Sequence, residues 1–242
     1  MIQLSNYTVS VADKQVVNNI SLTLESGSLH VLMGPNGSGK SSLALSLMGH
    51  KAYAVTGSAI INGHDLLSLS VDKRAQLGLF LSFQQPYEIP GVPLSSFFKV
   101  IYEAKYGPIE PKKLQEKLFV YFDLLEIDHA FYYRNLHEGF SGGQKKKLEM
   151  LQLLLLKPRV ALLDEIDSGL DVDALRVVAH ALTIAREENP EMTIMVITHY
   201  QRLLQYLQID HLHILVDGSL VKSGDSRLAQ VIEQQGYDTV VL

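Results

Sequence analysis

The run Gly34, Pro35, Asn36, Gly37, Ser38, Gly39, Lys40, Ser41 constrains the fold of this chain more than any other segment. It has the spacing GxxxxGKS, and it falls between a continuous run, Leu29 to Met33, apolar except for His30, and an amphipathic stretch, Ser41 to Met48. These read as a buried strand and a helix joined by a glycine-rich turn. Glycine permits the positive φ angles and the close approach by which backbone N–H groups converge on phosphate oxygens, and a helix N-terminus adds partial positive charge. In such a turn Lys40 is expected to bridge the β- and γ-phosphates of a nucleotide. The Ser41 hydroxyl is expected on Mg²⁺, and Ser42 is counted with the phosphate-binding residues. The alternative is an ordinary glycine-rich turn, which the flanking strand and helix disfavour.

Two later segments, Val160 to Leu163 and Thr193 to Thr198, have the same continuous apolar character as Leu29 to Met33. Long helical patterns separate them. The helix after Asp171 carries Leu175, Val178, Ala179 and Leu182 on one face, with Asp171 or Asp173 available to cap it. Strands alternating with helices imply parallel pairing and an α/β core. Upstream, Ile2 to Val17 and Ile20 to Leu24 roughly alternate in polarity, as strands of a half-exposed antiparallel sheet do. Between Pro86 and Pro158 the strands are expected to stop, and Leu114, Leu118, Phe122 and Leu125 recur at helical spacing. The expected fold class is therefore α/β: a mainly parallel sheet with an N-terminal antiparallel β-subdomain, over residues 1–85 and 158–242, and an inserted α-helical subdomain over 86–157.

The strand Ala161, Leu162, Leu163 ends in Asp164 and Glu165. Such a pair is common at strand ends, but downstream of a phosphate loop it has a specific reading. Asp164 would steady Mg²⁺, and Glu165 would orient or deprotonate an attacking water. A second glycine-bearing helix start, Phe140, Ser141, Gly142, Gly143, Gln144, precedes a basic run and an apolar face. By itself it reads equally as a plain helix start or as an anion site. With a phosphate loop already present, it suggests a site shared between two copies of the chain.

Together these elements resemble the ATP-binding cassette (ABC) ATPases, from the first strand to the C-terminus. The family signature is Leu-Ser-Gly-Gly-Gln, and here Phe140 stands for the leucine while Ser141 to Gln144 match. The resemblance implies an ABC-type P-loop ATPase core with a RecA-like sheet, using ATP and Mg²⁺. It also implies that Gln84 contacts Mg²⁺ and the water, that Asp171 and its neighbours back to Ser168 line the dimer interface, and that His199 holds the γ-phosphate. A lone histidine at a strand end otherwise reads as a structural cap. Many ABC ATPases stack adenine on an aromatic in the first hairpin; the aligned position here is Val11, with Tyr7 out of register, so weak base selectivity is expected.

Three further segments resemble the Suf branch of that family, the ATPases of iron–sulfur cluster assembly. They are Phe83 to Pro86 with Glu88 to Val92, Asp164 to Leu175, and Thr198 to Leu203. Gln144 departs from that branch, which often has glutamate there, toward the general ABC form. The branch implies SufB- and SufD-like scaffold partners, contacted through the helical subdomain, and pairing with a second copy in the ATP-bound state. Pro86 to Phe98, rich in proline and apolar residues, is the candidate docking surface or else a packed connector. The alternative function is the nucleotide-binding subunit of an ABC membrane transporter.

Composition bears on these partners. The chain has 242 residues and no cysteine, so it carries no disulfide, thiolate zinc site or direct cysteine ligation of an iron–sulfur cluster. A nascent cluster must therefore sit on a partner. The net charge of −5 gives no basic field for nucleic acid, and Lys145 to Lys147 read as a solvated face. The longest apolar stretches fall far short of the roughly 18 residues that span a bilayer. Met1 leads into a strand pattern without an apolar signal or Arg-rich leader. A cytoplasmic location is expected. His211 and His213, two apart on one strand, read as solvated or hydrogen-bonded histidines, with no third ligand evident in the sequence.

Overall fold

A computed structural model describes residues 1–199 and 202–237. In chain order it begins with β1 (Ile2–Val11), β2 (Lys14–Leu24), β3 (Leu29–Met33), α1 (Lys40–Met48), β4 (Ala54–Ile61), β5 (His64–Asp65), α2 (Val71–Gln76) and β6 (Leu79–Ser82). It continues with β7 (Ile89–Pro93), α3 (Leu94–Tyr106), α4 (Pro111–Leu124), β8 (Asn135–Leu136) and α5 (Gly142–Leu156). The last part holds β9 (Val160–Asp164), α6 (Val172–Glu188), β10 (Thr193–Ile197), β11 (His211–Val216), β12 (Ser219–Gly224) and α7 (Arg227–Gln235). Residues 200 and 201 of the Thr198 to Leu203 segment, and 238–242, lie outside the described residues.

The chain divides into two compact units. The first comprises Met1–Ser82, Pro158–Ile166 and Pro190–Leu242. Its larger sheet has the order β12-β11-β3-β10-β9-β6, with β11, β3, β10, β9 and β6 parallel and β12 antiparallel at the edge. Every residue of β3, β9 and β10 is buried, in keeping with the largely apolar sequence of strands covered on both faces. Its smaller sheet is antiparallel, order β2-β1-β4-β5, and β1 alternates buried and exposed residues over its first positions. Ala12 and Asp13, both at positive φ, turn β1 into β2, the backbone twist that a two-residue hairpin demands. Asp217 and Gly218 do the same between β11 and β12.

One apolar core joins the two sheets through α1. Ile2, Val9, Val17 and Ile20 of the antiparallel sheet and Leu32, Leu162 and Ile197 of the parallel one enclose Leu43 and Leu47. Tyr7 donates its hydroxyl to Ser46 Oγ at 3.1 Å inside this core. Arg74 of α2 is buried because it closes the C-terminal end of α1, donating from Nη1 to the carbonyls of Ser46 (3.0 Å) and Leu47 (2.7 Å). The last carbonyls of a helix lack their usual partners; the Gly49 amide reaches Ser46 O at 3.0 Å, Arg74 serves both carbonyls, and burial holds the guanidinium below its usual range.

The second unit comprises Phe83–Lys157 and Asp167–Asn189. It differs from the expected 86–157 by including the segment around α6, which was assigned to the 158–242 part of the core. Packing decides this: α6 lies against α5, and Glu188 near its end accepts from Tyr121 of α4 at 3.2 Å and pairs with Lys157 at 2.8 Å. Burial and the Glu188 charge push Tyr121 up to about 12. The sequence suggests that strands stop between Pro86 and Pro158, but they do not. Ile89–Pro93 pairs with Asn135–Leu136 as a two-stranded sheet, with Pro90 and Pro93 tolerated because so short a strand has edges to spare.

Candidate functional site

The phosphate loop leaves β3 and enters α1 under tight steric control. A Cβ at Gly34 would run into the Leu215 carbonyl, and one at Gly39 into the Val16 carbonyl, with Gly39 also at φ 103. Glycine is the residue that fits both positions. Gly39 is the N-cap of α1 and makes no side-chain cap bond, so no side chain of its own closes the first turn. Ser38 Oγ is buried without a hydrogen-bond partner. The buried Lys40 donates from Nζ to the Gly34 and Pro35 carbonyls, each at 2.9 Å. Burial holds this ammonium below its usual range, while the charges of Glu165 and Asp164 pull it back up.

Those two carboxylates come from the end of β9, beside the loop. Asp164 is buried. Glu165 is in the left-handed region, φ 49, a conformation that costs a non-glycine residue on the order of 1 kcal/mol or more. Its amide donates to the Ile197 carbonyl at 2.9 Å, which fixes the residue against the end of β10. Its Oε1 lies 3.6 Å from Nδ1 of His199, two residues past that strand. Gly34 to Ser42, Asp164, Glu165 and His199 thus all belong to the first unit, and the first unit brings the loop lysine, the acid pair and the histidine together.

Gln84, Ser141 to Gln144 and Asp171 belong to the second unit. Ser141 and Gln144 form a capping box at the start of α5: Gln144 N donates to Ser141 Oγ (3.2 Å) and Ser141 N to Gln144 Oε1 (2.9 Å). Phe140 is buried, and the Arg134 guanidinium lies 4.5 Å from the centres of both the Phe131 and Phe140 rings, a cation–π arrangement that needs an aromatic there. Asp171 caps α6, accepting from Ala174 N at 2.8 Å.

A family model described as "ABC transporter" matches residues 17–168. The chain belongs to the ABC transporter family. Among its relatives, the Synechocystis sp. protein named "Probable ATP-dependent transporter" is 44% identical over 248 residues, covering 98% of this chain and 94% of its own. Vegetative protein 296 of Bacillus subtilis is 44% identical over 236 residues, 96% of this chain and 90% of its own. The fold is that of solved cassettes. The dimeric structure of MJ0796, a bacterial ABC transporter cassette, superposes with a TM-score of 0.81 at 21% identity, over 93% of this chain and 98% of that one. The same cassette in a post-hydrolysis state with ADP and Pi gives 0.80 at 20%.

This ABC cassette is a P-loop ATPase, with ATP as substrate and Mg²⁺ as its metal. The first unit fits both: an uncapped helix start, an unpaired buried Ser38 hydroxyl and Lys40 suit phosphate, and the oxygen donors Ser41 and Asp164 suit a hard cation. Among the described residues no helix is long and apolar enough to cross a membrane.

The cassette also corrects one reading and adds residues that the sequence did not single out. Lys145 to Lys147 are not a solvated face. Lys146 is only 3% exposed and donates to the carbonyls of Phe83 (3.1 Å) and Gln84 (2.8 Å), while Glu149 Oε2 accepts from Phe83 N at 3.2 Å. One turn of α5 thereby grips the backbone around Gln84. Lys145 pairs with Glu88 at 3.0 Å and Lys147 with Glu126 at 3.6 Å. The signal was present: Lys146 precedes Glu149, Met150 and Leu153 by three, four and seven residues, in phase with the buried face. In the first unit the Tyr237 phenol meets the Gly34 amide, and burial raises its pKa.

Proposed function

We propose that this cassette is SufC, the ATP-hydrolysing subunit of a Suf iron–sulfur cluster assembly complex. Water attacks the γ-phosphorus and the bond to the β-phosphate oxygen breaks. Glu165 orients and deprotonates that water, Lys40 and the loop amides neutralise the β- and γ-phosphates, and His199 holds the γ-phosphate. Ser41 and Asp164 hold Mg²⁺, which supplies further charge neutralisation when bound; Gln84 has the role the family resemblance gives it. The observation that supports this chemistry best is the convergence of Glu165 and His199, 3.6 Å apart, beside the loop that holds Lys40.

Two copies pair around ATP, each presenting Ser141 to Gln144 to the phosphates held by the other. This pairing reshapes a scaffold of SufB and SufD type in the cytoplasm. The cassette has no thiolate to offer a cluster, which supports a division of labour in which those partners carry it. The segment Pro86 to Phe98 supports docking: Tyr87 in it is 81% exposed, and Gln84 to Glu88 line a cavity of about 480 Å³ with Gly142, Lys145, Lys146 and Ser168. The second reading is the nucleotide-binding subunit of a membrane transporter, favoured by the transporter names of the relatives. Isolation of the chain with its native partners in the absence of detergent separates the two. Soluble SufB- and SufD-like proteins are expected to come with it. Recovery only with membrane subunits, in detergent, overturns the Suf reading.

A further inference from the structure

At the start of β3, the end away from the phosphate loop, three imidazoles stack across two strands. His30 and His211 are partners in the parallel β3–β11 register, with ring centres 4.7 Å apart, and His30 and His213 are 5.3 Å apart. Glu25, between β2 and β3, points its carboxylate at the same place. Oε2 lies 3.3 Å from His30 Nε2 and 3.7 Å from His211 Nε2, and the three ligand atoms all lie within 4.8 Å of one another. The sequence offered His211 and His213 without a third ligand; the fold pairs His211 instead with a histidine and a carboxylate distant in sequence.

We propose that Glu25, His30 and His211 form a binding site for a borderline divalent cation of the Zn²⁺ type, separate from the nucleotide's Mg²⁺. Metal bonds of about 2.0–2.1 Å place tetrahedral ligand atoms roughly 3.3–3.4 Å apart. The two distances from Glu25 already stand at 3.3 and 3.7 Å. Two imidazoles with one carboxylate select Zn²⁺ or its neighbours over Mg²⁺, which prefers an all-oxygen set. A water completes the fourth position, and the half-exposed His211 (47%) and Glu25 (55%) leave it reachable from solvent.

The surroundings are built as outer-shell supports commonly are. His30 is 1% exposed, and its Nδ1 is 3.0 Å from Nε2 of His213, whose Nδ1 is 2.8 Å from Ser223 Oγ. With protons on both Nδ1 atoms, each ring donates along this chain toward Ser223 and the Nε2 lone pair of His30 is directed at the ligand set. Ser28 Oγ donates to the Glu25 carbonyl at 2.7 Å and so accepts from His30 Nε2–H at 2.7 Å in the metal-free chain; on binding, the cation replaces that contact and the His30 proton moves to Nδ1. Such an ion ties the loop after β2 to β3 and β11, a staple at the end of the sheet opposite the nucleotide.

The test uses the full chain without a polyhistidine tag, treated with chelator and titrated with Co²⁺. Saturable binding of one ion per chain, with the visible d–d absorption of tetrahedral cobalt and displacement by Zn²⁺, is expected. His211→Ala and Glu25→Gln alter exposed side chains, so both variants are expected to fold, and each should weaken binding by about tenfold or more. His30→Ala is avoided because a buried ring is lost. Absence of saturable binding, or binding retained in either variant, overturns the proposal.

Discussion

The two glycine-bearing helix starts of this chain, at α1 and at α5, look alike in sequence and differ in how their first turns are satisfied. At α1 the N-cap is Gly39, which offers no side chain to the amides behind it. Lys40 is left to the loop's own carbonyls and Ser38 Oγ is unpaired. At α5 Ser141 and Gln144 exchange hydrogen bonds in a capping box, a motif in which each residue's side-chain oxygen accepts from the other's orphan backbone N–H. An anion therefore completes the first start, whereas the second is complete at Ser141 N and Gln144 N and keeps only the Gly142 and Gly143 amides outside the box. Glycine-rich sequence alone does not make an anion site. What decides it is whether the chain satisfies its own donors, and by that test α1 is a resident site while α5, on the proposed reading, serves one only in combination with a second copy.

The largest effect is expected where the resident site does chemistry. Nucleotide binding rests on the loop and α1, but hydrolysis on the proposed reading also needs Glu165. Glu165→Gln should keep ATP affinity and lower turnover by roughly 10²-fold or more, the scale of a positioned acid or base, and should accumulate an ATP-bound dimer. Wild-type turnover in that variant would take Glu165 out of its role and break the link between the loop and the acid pair.

Next comes the assignment of α5 to a partner copy. Lys40→Ala and Ser141→Arg chains should each be inactive alone. In a mixed dimer one composite site carries both lesions and the other neither, so mixing should restore activity. A mixture that demonstrably forms mixed dimers and stays inactive would mean that the α5 start does not work in trans as an independent site.

The difference between the two starts also marks what the sequence could carry. The loop was legible because spacing, a buried strand and a helix coincide at Gly34 to Ser41, and β3, β9 and β10 because runs such as Leu29 to Met33 are short and lie close to glycine or proline, as buried strands do. The acid pair was legible from its place after Leu163, but the left-handed Glu165 and its approach to His199 depend on β9 and β10 pairing in register, which no local pattern states. The short β7–β8 pair was hidden by Pro90 and Pro93. The grip of Lys146 and Glu149 on the Gln84 backbone was masked because charged residues in a run suggest solvent. The pairing of His30 with His211 is a matter of register between strands far apart in sequence.

A smaller effect concerns what the α1 site reads. If this start recognises the triphosphate and the adenine has no aromatic platform at Val11, the base loses a stacking contact worth about 0.5–1.5 kcal/mol. GTP should then compete appreciably with ATP. Measured affinities preferring ATP by more than about a hundredfold, near 2.7 kcal/mol, would show that another residue reads the base and that the site is not defined by phosphate alone.

The smallest expected effect probes Gly142, where the two starts diverge most. Unlike Gly34 and Gly39, Gly142 is helical, and a Cβ built on it meets nothing within 4 Å in its own chain. Alanine should therefore fit, and replacing glycine at a compatible position stabilises by about 0.4–1 kcal/mol, mainly by restricting the unfolded chain. The fold gives no reason for glycine here. A phosphate approaching the Gly142 amide from a second copy does, because a methyl group would stand in its path. Gly142→Ala should melt at or above the wild-type temperature while its ATP turnover falls. Unchanged turnover would mean that nothing needs the space in front of α5, whereas a fall in both stability and turnover would place the requirement for glycine inside the chain.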